Sequence, residues 1–562
     1  MAYLPQIQPR EGLISNLAAG LLNDWGEGRI SSTQLQGHMA AARSDGLQHP
    51  MVHRLANVAT GTHSHSSLLQ LLEAHGILGL LTPMESGLLS HVILPSDIVS
   101  MLLADFPSQF RSRLGAEPEK VRSFWRDFLA RPQTQQWAAA HPFLAGKSVA
   151  DLVCTIPCTV HVDAGPITKR KSATCLSWTS LIGSGSEKGS QFLIGTHIKG
   201  EHDADHDAWR AVLSDFDAMA SGIVNGREVA REGRRLWKFV LLIAKADEEA
   251  RCNIFGLPHY GAAQPCPECL ADRGVGGRGM PFTDLRAEAA WRASESMSFA
   301  TYRSRIRQPL HPLAASPYCC SKFFFFPDLM HLMDCHGVAG IFMGSAIATL
   351  MTKPALGANK RLRLKAINDH RAAWYRANPT TSKLPALIPS SLVLDGWAEL
   401  TGNAVKSAAT RHAVPWCRDL CREQLTSGSV EDQLIIQMAD DLVQLYAILY
   451  GAGFFLSDRE SRQLQDVCLR FGRAFQQMRQ HCLVRNELRF NVKPKVHKMQ
   501  HLPMISAVLN PRYVQVYGEE SLIGTTTKIW ARCVAGPHHR TAQKSVLAKR
   551  VVALLLHLHA AE

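Results

Sequence analysis

The sequence predicts an α/β protein: a sheet-based core interrupted by a large all-α insertion and preceded by an α-helical N-terminal region. Between residues 153 and 244, four segments rich in Val, Ile, Thr and aromatics are separated by Gly/Ser/Pro turns and one helical stretch. From about 300 to 490 the apolar residues recur at helical spacing instead. Beyond 491, paired histidines and glutamates complement the acids and the C-x-x-C that precede the insertion. The expected divisions are 1–148, 149–300, 301–490 and 491–562.

Composition sets the broad class. A chain of 562 residues is too long for one core, and 46% hydrophobic with 19% charged residues is a globular balance. No apolar run reaches the roughly 18 residues of a membrane span, and the first residues lack the apolar centre of a signal peptide. The 14 scattered cysteines read as reduced thiols of an intracellular protein, with one pair reserved for a metal. A formal charge of +13 favours a polyanionic partner, most often nucleic acid.

Within residues 1–148, the segments 66–72 and 120–130 carry the helical period. No Cys/His finger and no long basic helix is visible there. His63 and His65 sit in a Gly/Thr/Ser loop and read as surface. Residues 153–162 (VCTIPCTVHV) read as a strand, ending in a turn whose first acid is Asp163. Residues 173–182 and 191–198 complete a three-stranded meander. An acidic cluster of His202, Asp203, Asp205, His206 and Asp207 reads as a solvated loop opening a helix over 207–229. The apolar run 236–244 (LWKFVLLIA) is then a buried strand, with Asp247 at its end. Three strands, a helix and a further strand, with acids after the first and last, is the order of an RNase H-like core.

Acids so placed have a chemical use. Phosphodiester cleavage needs an activated oxygen nucleophile and a stabilised leaving oxygen, and two divalent cations about 3.5–4 Å apart provide both. Hard cations such as Mg²⁺ take carboxylate oxygens. Asp163 and Asp247, at neighbouring strand ends, supply a bridging and a flanking carboxylate.

Cys266-Pro-Glu-Cys269 follows, half of a zinc site, and then a helix start over 281–292. In the insertion, 431–450 and 457–480 are helical. Asp328, His331 and Asp334 fall at i, i+3 and i+6, either a metal set or a buried polar cluster joining insertion to core. His497 and His501, at i, i+4 on one helical face, complete a Cys₂His₂ set with Cys266 and Cys269. Gly518-Glu519-Glu520-Ser521 opens a helix to 532 and offers the third carboxylate, from Glu519 or Glu520. Lys169, Arg170 and Lys171 are candidate phosphate contacts.

This order of acid, acid, C-x-x-C, helical insertion, H-x-x-x-H and acid resembles cut-and-paste DDE transposases. The segments are nearest to CACTA-like and Kyakuja-Dileera-Zisupton-like elements, relatives of hAT and of the catalytic subunit of the V(D)J recombinase, and Asp328-Leu-Met-His331 is similar to their recurring D-x-x-H. The resemblance implies an RNase H-like catalytic core over about 150–545 and Asp163, Asp247 and Glu520 as ligands of Mg²⁺ or Mn²⁺. It also implies structural Zn²⁺ on Cys266, Cys269, His497 and His501. It implies cleavage and strand transfer on double-stranded DNA in the nucleus: activated water attacks a phosphodiester, and the freed 3′-OH attacks target DNA. The alternative is a catalytically inactive, zinc-stapled DNA-binding protein derived from such an element. A homodimer or higher oligomer is open, and no membrane partner is expected.

Overall fold

The twelve-residue strand β1 (Thr155–Pro166) is the axis of the molecule. The computed structural model describes residues 16–44, 55–57, 64–74, 77–85, 88–184, 190–200, 206–224, 227–229, 231–274, 277–393, 396–402, 406–425, 428–533 and 539–561. On one side β1 pairs antiparallel with β2 (Ser172–Ser180), and β2 pairs antiparallel with β3 (Phe192–Ile198). On the other side β4 (Lys238–Ala246) runs parallel to β1, and β5 (Phe325–Pro327) runs parallel to β4. The order of this mixed five-stranded sheet is β5-β4-β1-β2-β3. Strands β1 and β4 are buried almost throughout, which explains why they read as continuous apolar runs rather than alternating ones.

Helix α1 (His206–Ser221) links β3 to β4 and buries Trp209, Val212, Phe216 and Met219. The N-terminal helices are fastened to the same core, where the Trp125 indole donates to the Thr155 carbonyl at 2.6 Å. After β4 comes the single-turn helix α2 (Glu248–Asn253). The helical stretch contains α3 (Val338–Leu350), α4 (Ser407–Gln424), α5 (Val430–Gly451) and α6 (Asp458–Val484). These enclose a second apolar core, with Phe342, Trp416, Leu442 and Phe471 at its centre. The segment Met330–Leu350 is apolar and long enough to cross a membrane, yet 83% of that window is buried inside the protein. The chain returns to the sheet through α7 (Pro494–Met499), α8 (Tyr517–Cys533) and α9 (His539–Ala561).

Several elements differ from the sequence reading. β1 continues through Asp163 to Pro166, because the hairpin closes later, at Ile167 and Lys171. α1 stops at Ser221 before Gly222, whose φ of +81° leaves the helical region, and two short hairpins follow. Residues 281–289 are irregular, and only a 3₁₀ turn, Ala290–Ser296, forms after them. β5 is an additional strand. His63 lies outside the described residues, as do the side chain of His65 and residues 202, 203 and 205.

Candidate functional site

The parallel register that pairs Lys245 with His161 brings Asp247, two residues on, beside Asp163. Asp247 caps α2, where its Oδ1 accepts from the Ala250 N–H at 2.6 Å. Asp163 and Asp247 line one cleft, together with Thr174, His197, Lys199 and Trp209. Helix α8 crosses the Asp163 face of the sheet. Gly165 permits that approach, since a Cβ there would sit 2.6 Å from the Ile523 side chain and 3.0 Å from Thr527. The crossing presents Glu520 to Asp163, and ligand atoms of Asp163, Glu520 and His331 all lie within 4.8 Å of one another. Burial, then the nearby Asp247 and Glu520 charges, hold the Asp163 carboxyl well above its ordinary value. Glu520 is raised as well, chiefly by burial.

His331 sits on a turn of π-helix, Met330–Asp334, just past β5. Its Nδ1 donates to Asp328 Oδ2 at 2.6 Å, and its Nε2 lies 3.6 Å from Glu520 Oε1. Burial lowers the imidazole's pKa, but the bonded Asp328 and Cys335 outweigh it and hold His331 well above its ordinary value. These partners favour the protonated ring beside the acids. Asp328 also accepts from the Val516 N–H at 3.0 Å, just ahead of α8. Asp334 faces elsewhere, accepting from Tyr517 at 2.7 Å and from Tyr446 of α5. The three residues thus divide: Asp334 joins α5 to α8, and His331 joins the acids.

Glu519 turns inward instead, into an ion pair with Lys245 of β4 in which the side chains are 1% and 4% exposed. Successive helical residues point about 100° apart, so only one of the two glutamates can face Asp163. His161, the register partner of Lys245, lies buried with neither ring nitrogen bonded to another described residue.

The second centre is buried behind α2. Cys266 Sγ lies 3.3 Å from His501 Nε2, Cys269 Sγ lies 3.3 Å from His497 Nε2, and the two Nε2 atoms are 3.2 Å apart. This is a closed Cys₂His₂ group able to hold a metal ion. His501 Nδ1 donates to Glu295 at 2.7 Å, which turns Nε2 inward. Arg305 donates to the carbonyls of Cys266 and Cys269, each at 2.8 Å, fixing the C-x-x-C turn. The Trp291 ring meets His497 edge-on at 4.4 Å.

No family model and no curated protein matches the chain.

The two centres are joined by charge. Glu268, inside the C-x-x-C, accepts from Arg251 of α2 at 2.7 Å. Lys498, inside the H-x-x-x-H, pairs with Glu248 of the same helix. Each half of the Cys₂His₂ group therefore grips the turn that Asp247 caps. The sequence reading did not single out Lys245, Glu295, Arg251 or Lys498. Each is a charged residue with a partner outside its own element, and only Arg251 has a local partner as well, Glu248 at i−3. The Asp-x-x-His spacing was the available signal for His331.

Proposed function

We propose that this chain is a transposase-like protein that cleaves and joins double-stranded DNA in the nucleus, using two-metal phosphodiester chemistry on an RNase H-like core split by a helical insertion. The carrying observation is that Asp163 of β1 and Glu520 of α8 come together with His331 within 4.8 Å, and that Asp247, at the end of the neighbouring strand β4, lines the same cleft as Asp163. Antiparallel β1-β2-β3 with parallel β4 and β5 supports the RNase H-like reading. Asp163, raised by burial and then by the neighbouring Asp247 and Glu520 charges, belongs to a carboxylate site that favours a hard cation. Mg²⁺ or Mn²⁺ held by these carboxylates supplies nucleophile activation and leaving-group stabilisation. Asp163, which feels both other acids, would be the central ligand of such a cation site, with Asp247 and Glu520 as the flanking ligands. His331, held by Asp328, sets its Nε2 3.6 Å from Glu520 Oε1, near enough to attract that carboxylate but beyond hydrogen-bond length.

Zinc suits the second centre. Bonds of about 2.3 Å to sulfur and about 2.0 Å to nitrogen place tetrahedral S···N at about 3.5 Å and N···N at about 3.3 Å. The separations of 3.3 and 3.2 Å support a closed, structural site.

The test is Mg²⁺-dependent cleavage of duplex DNA by wild type, Asp163→Asn and Glu520→Gln. Both variants should bind DNA yet lose cleavage by at least about 10³-fold, the scale on which charge-stabilising groups act. Wild-type cleavage that survives both changes would remove the two-metal reading. A second reading, a catalytically inactive DNA-binding relative, is favoured by the close group around Asp163 and Glu520, which the His331 imidazole and not Asp247 completes. It would be upheld by duplex binding without Mn²⁺ binding or cleavage.

A further inference from the structure

We propose that the outward face of α8 is a track for one strand of duplex DNA, leading from the acid cluster to the β1–β2 turn. The inference rests on the DNA reading above and adds to it the surface and the direction. Positions 520, 524, 528 and 532 follow one i+4 ridge that winds slowly around the helix, turning about 40° at each step. Glu520 is the acid at its start, and its side chain is 39% exposed. Lys528 and Arg532 follow, both exposed and neither in an ion pair among the described residues. Between them and the acid stands Gly524.

Gly524 is unexplained by the fold. It lies mid-helix, where glycine weakens a helix relative to alanine. A Cβ built on it would meet no heavy atom within 4 Å, and its φ is not left-handed, so neither packing nor backbone conformation calls for glycine. Gly165 shows the contrast, because there a Cβ would strike α8 itself. Gly20, Gly37 and Gly340 are equally open within their helices, so it is the position of Gly524, between a carboxylate and two cations unpaired among the described residues, that fits a helix which a ligand backbone approaches closely.

The ridge ends at more cations. Ile167 and Cys533 pack against one apolar cluster containing Ile529 and Trp530, which sets the β1–β2 turn beside the C-terminal half of α8. Lys169, Arg170 and Lys171 of that turn are exposed. Eight residues separate Glu520 from Lys528, about 12 Å of helix at 1.5 Å per residue. That is roughly three to four nucleotides of duplex rise. The partner is thus a phosphodiester backbone with its reacting phosphate at Glu520 and its neighbouring phosphates over Gly524 and Lys528.

The experiment measures binding of a short labelled DNA duplex in EDTA across a salt series, so that cleavage plays no part. Lys528→Ala/Arg532→Ala should lower the slope of log K against log salt by about 1.8, or about 0.9 per lost phosphate contact. Gly524→Leu should weaken binding by about tenfold, the worth of one charge-assisted contact, while its melting temperature stays at or above wild type. An unchanged slope in the double variant, or unchanged binding by Gly524→Leu, overturns the track and leaves the DNA reading intact. An equal loss from Lys360→Ala/Arg361→Ala, exposed cations of the helix Lys360–Ala377, also overturns it, because binding would then be diffuse. A wild-type slope near zero overturns the DNA reading itself.

Discussion

Two neighbouring glutamates should respond in opposite ways to the same substitution. Glu519→Gln leaves Lys245 buried opposite a neutral amide, with His161 beside it and unable to take up the charge as a carboxylate would. Breaking a buried pair by removing one partner costs about 3–5 kcal/mol, because the remaining charge is uncompensated. Glu520→Gln removes a carboxylate that is raised by burial and stands near Asp163. Its loss removes the cost of burying a carboxylate, and stability should stay level or rise. Lys245→Met/Glu519→Met replaces both charges with apolar chains of similar length, which is commonly neutral or stabilising by about 1–4 kcal/mol. Urea unfolding followed by tryptophan fluorescence, with zinc content as a control for gross misfolding, should rank the four proteins. Glu519→Gln should be least stable, and Glu520→Gln and the double variant at or above wild type. Should Glu519→Gln be as stable as Glu520→Gln, the ion pair does not fix the register of α8. Should the double variant be no better than Glu519→Gln, packing rather than charge explains the loss.

The metal centre and the acids make two further predictions. Purified protein should carry one zinc per chain, and Cys266→Ser should release it; hydrogen exchange should then quicken in the α2 peptide, including the Ala250 N–H that Asp247 caps, and unchanged protection there would disconnect the two centres. The raised Asp163 and Glu520 make the metal-free native state bind protons more tightly than the unfolded chain, so its stability should fall as pH rises from about 4 through their raised values. Mn²⁺ should offset that loss, with a melting-temperature gain that grows between pH 5 and pH 8 and vanishes in Asp163→Asn; a pH-independent gain would contradict it.

How legible the chain was depended on whether each cause was local. β2, β3 and β4 announce themselves by composition, because burial on both faces demands apolar, β-branched runs. The end of β1 misled because Asp-Ala-Gly-Pro has turn chemistry, whereas Gly165 serves the close approach of α8, 358 positions later at Ile523. β5 has only three residues and exists through its pairing with β4. The segment 281–289 has helical composition, but its surroundings hold it otherwise: Asp284 grips Arg286 at 2.8 Å, and the Leu285 N–H donates to Gln476 of α6 at 2.7 Å. The choice between Glu519 and Glu520 could not be read from α8 alone, since apolar Ile523 lies within one turn of both. Lys245, on a different strand, is what separates them.

The same nonlocality explains why a metal would be useful here. Cys269 and His497 are 228 residues apart in the chain. Closing a loop of that length costs about 2 kcal/mol more than closing one of about 20 residues, because the entropy grows only as the logarithm of length. A structural zinc contributes on the order of 10 kcal/mol or more of apparent binding free energy, which exceeds that difference severalfold. The length of the intervening chain is therefore a weak constraint once the ion is held, while the geometry at its two ends is a strong one. Arg251–Glu268 and Lys498–Glu248 carry that geometry to α2, one pair from each side of the helical stretch. Asp247 caps the helix that both pairs hold. The position of a carboxylate on the sheet thus depends on residues that flank the whole helical stretch. Changes within the helical core should leave the acid cluster in place so long as Glu268 and Lys498 still reach α2.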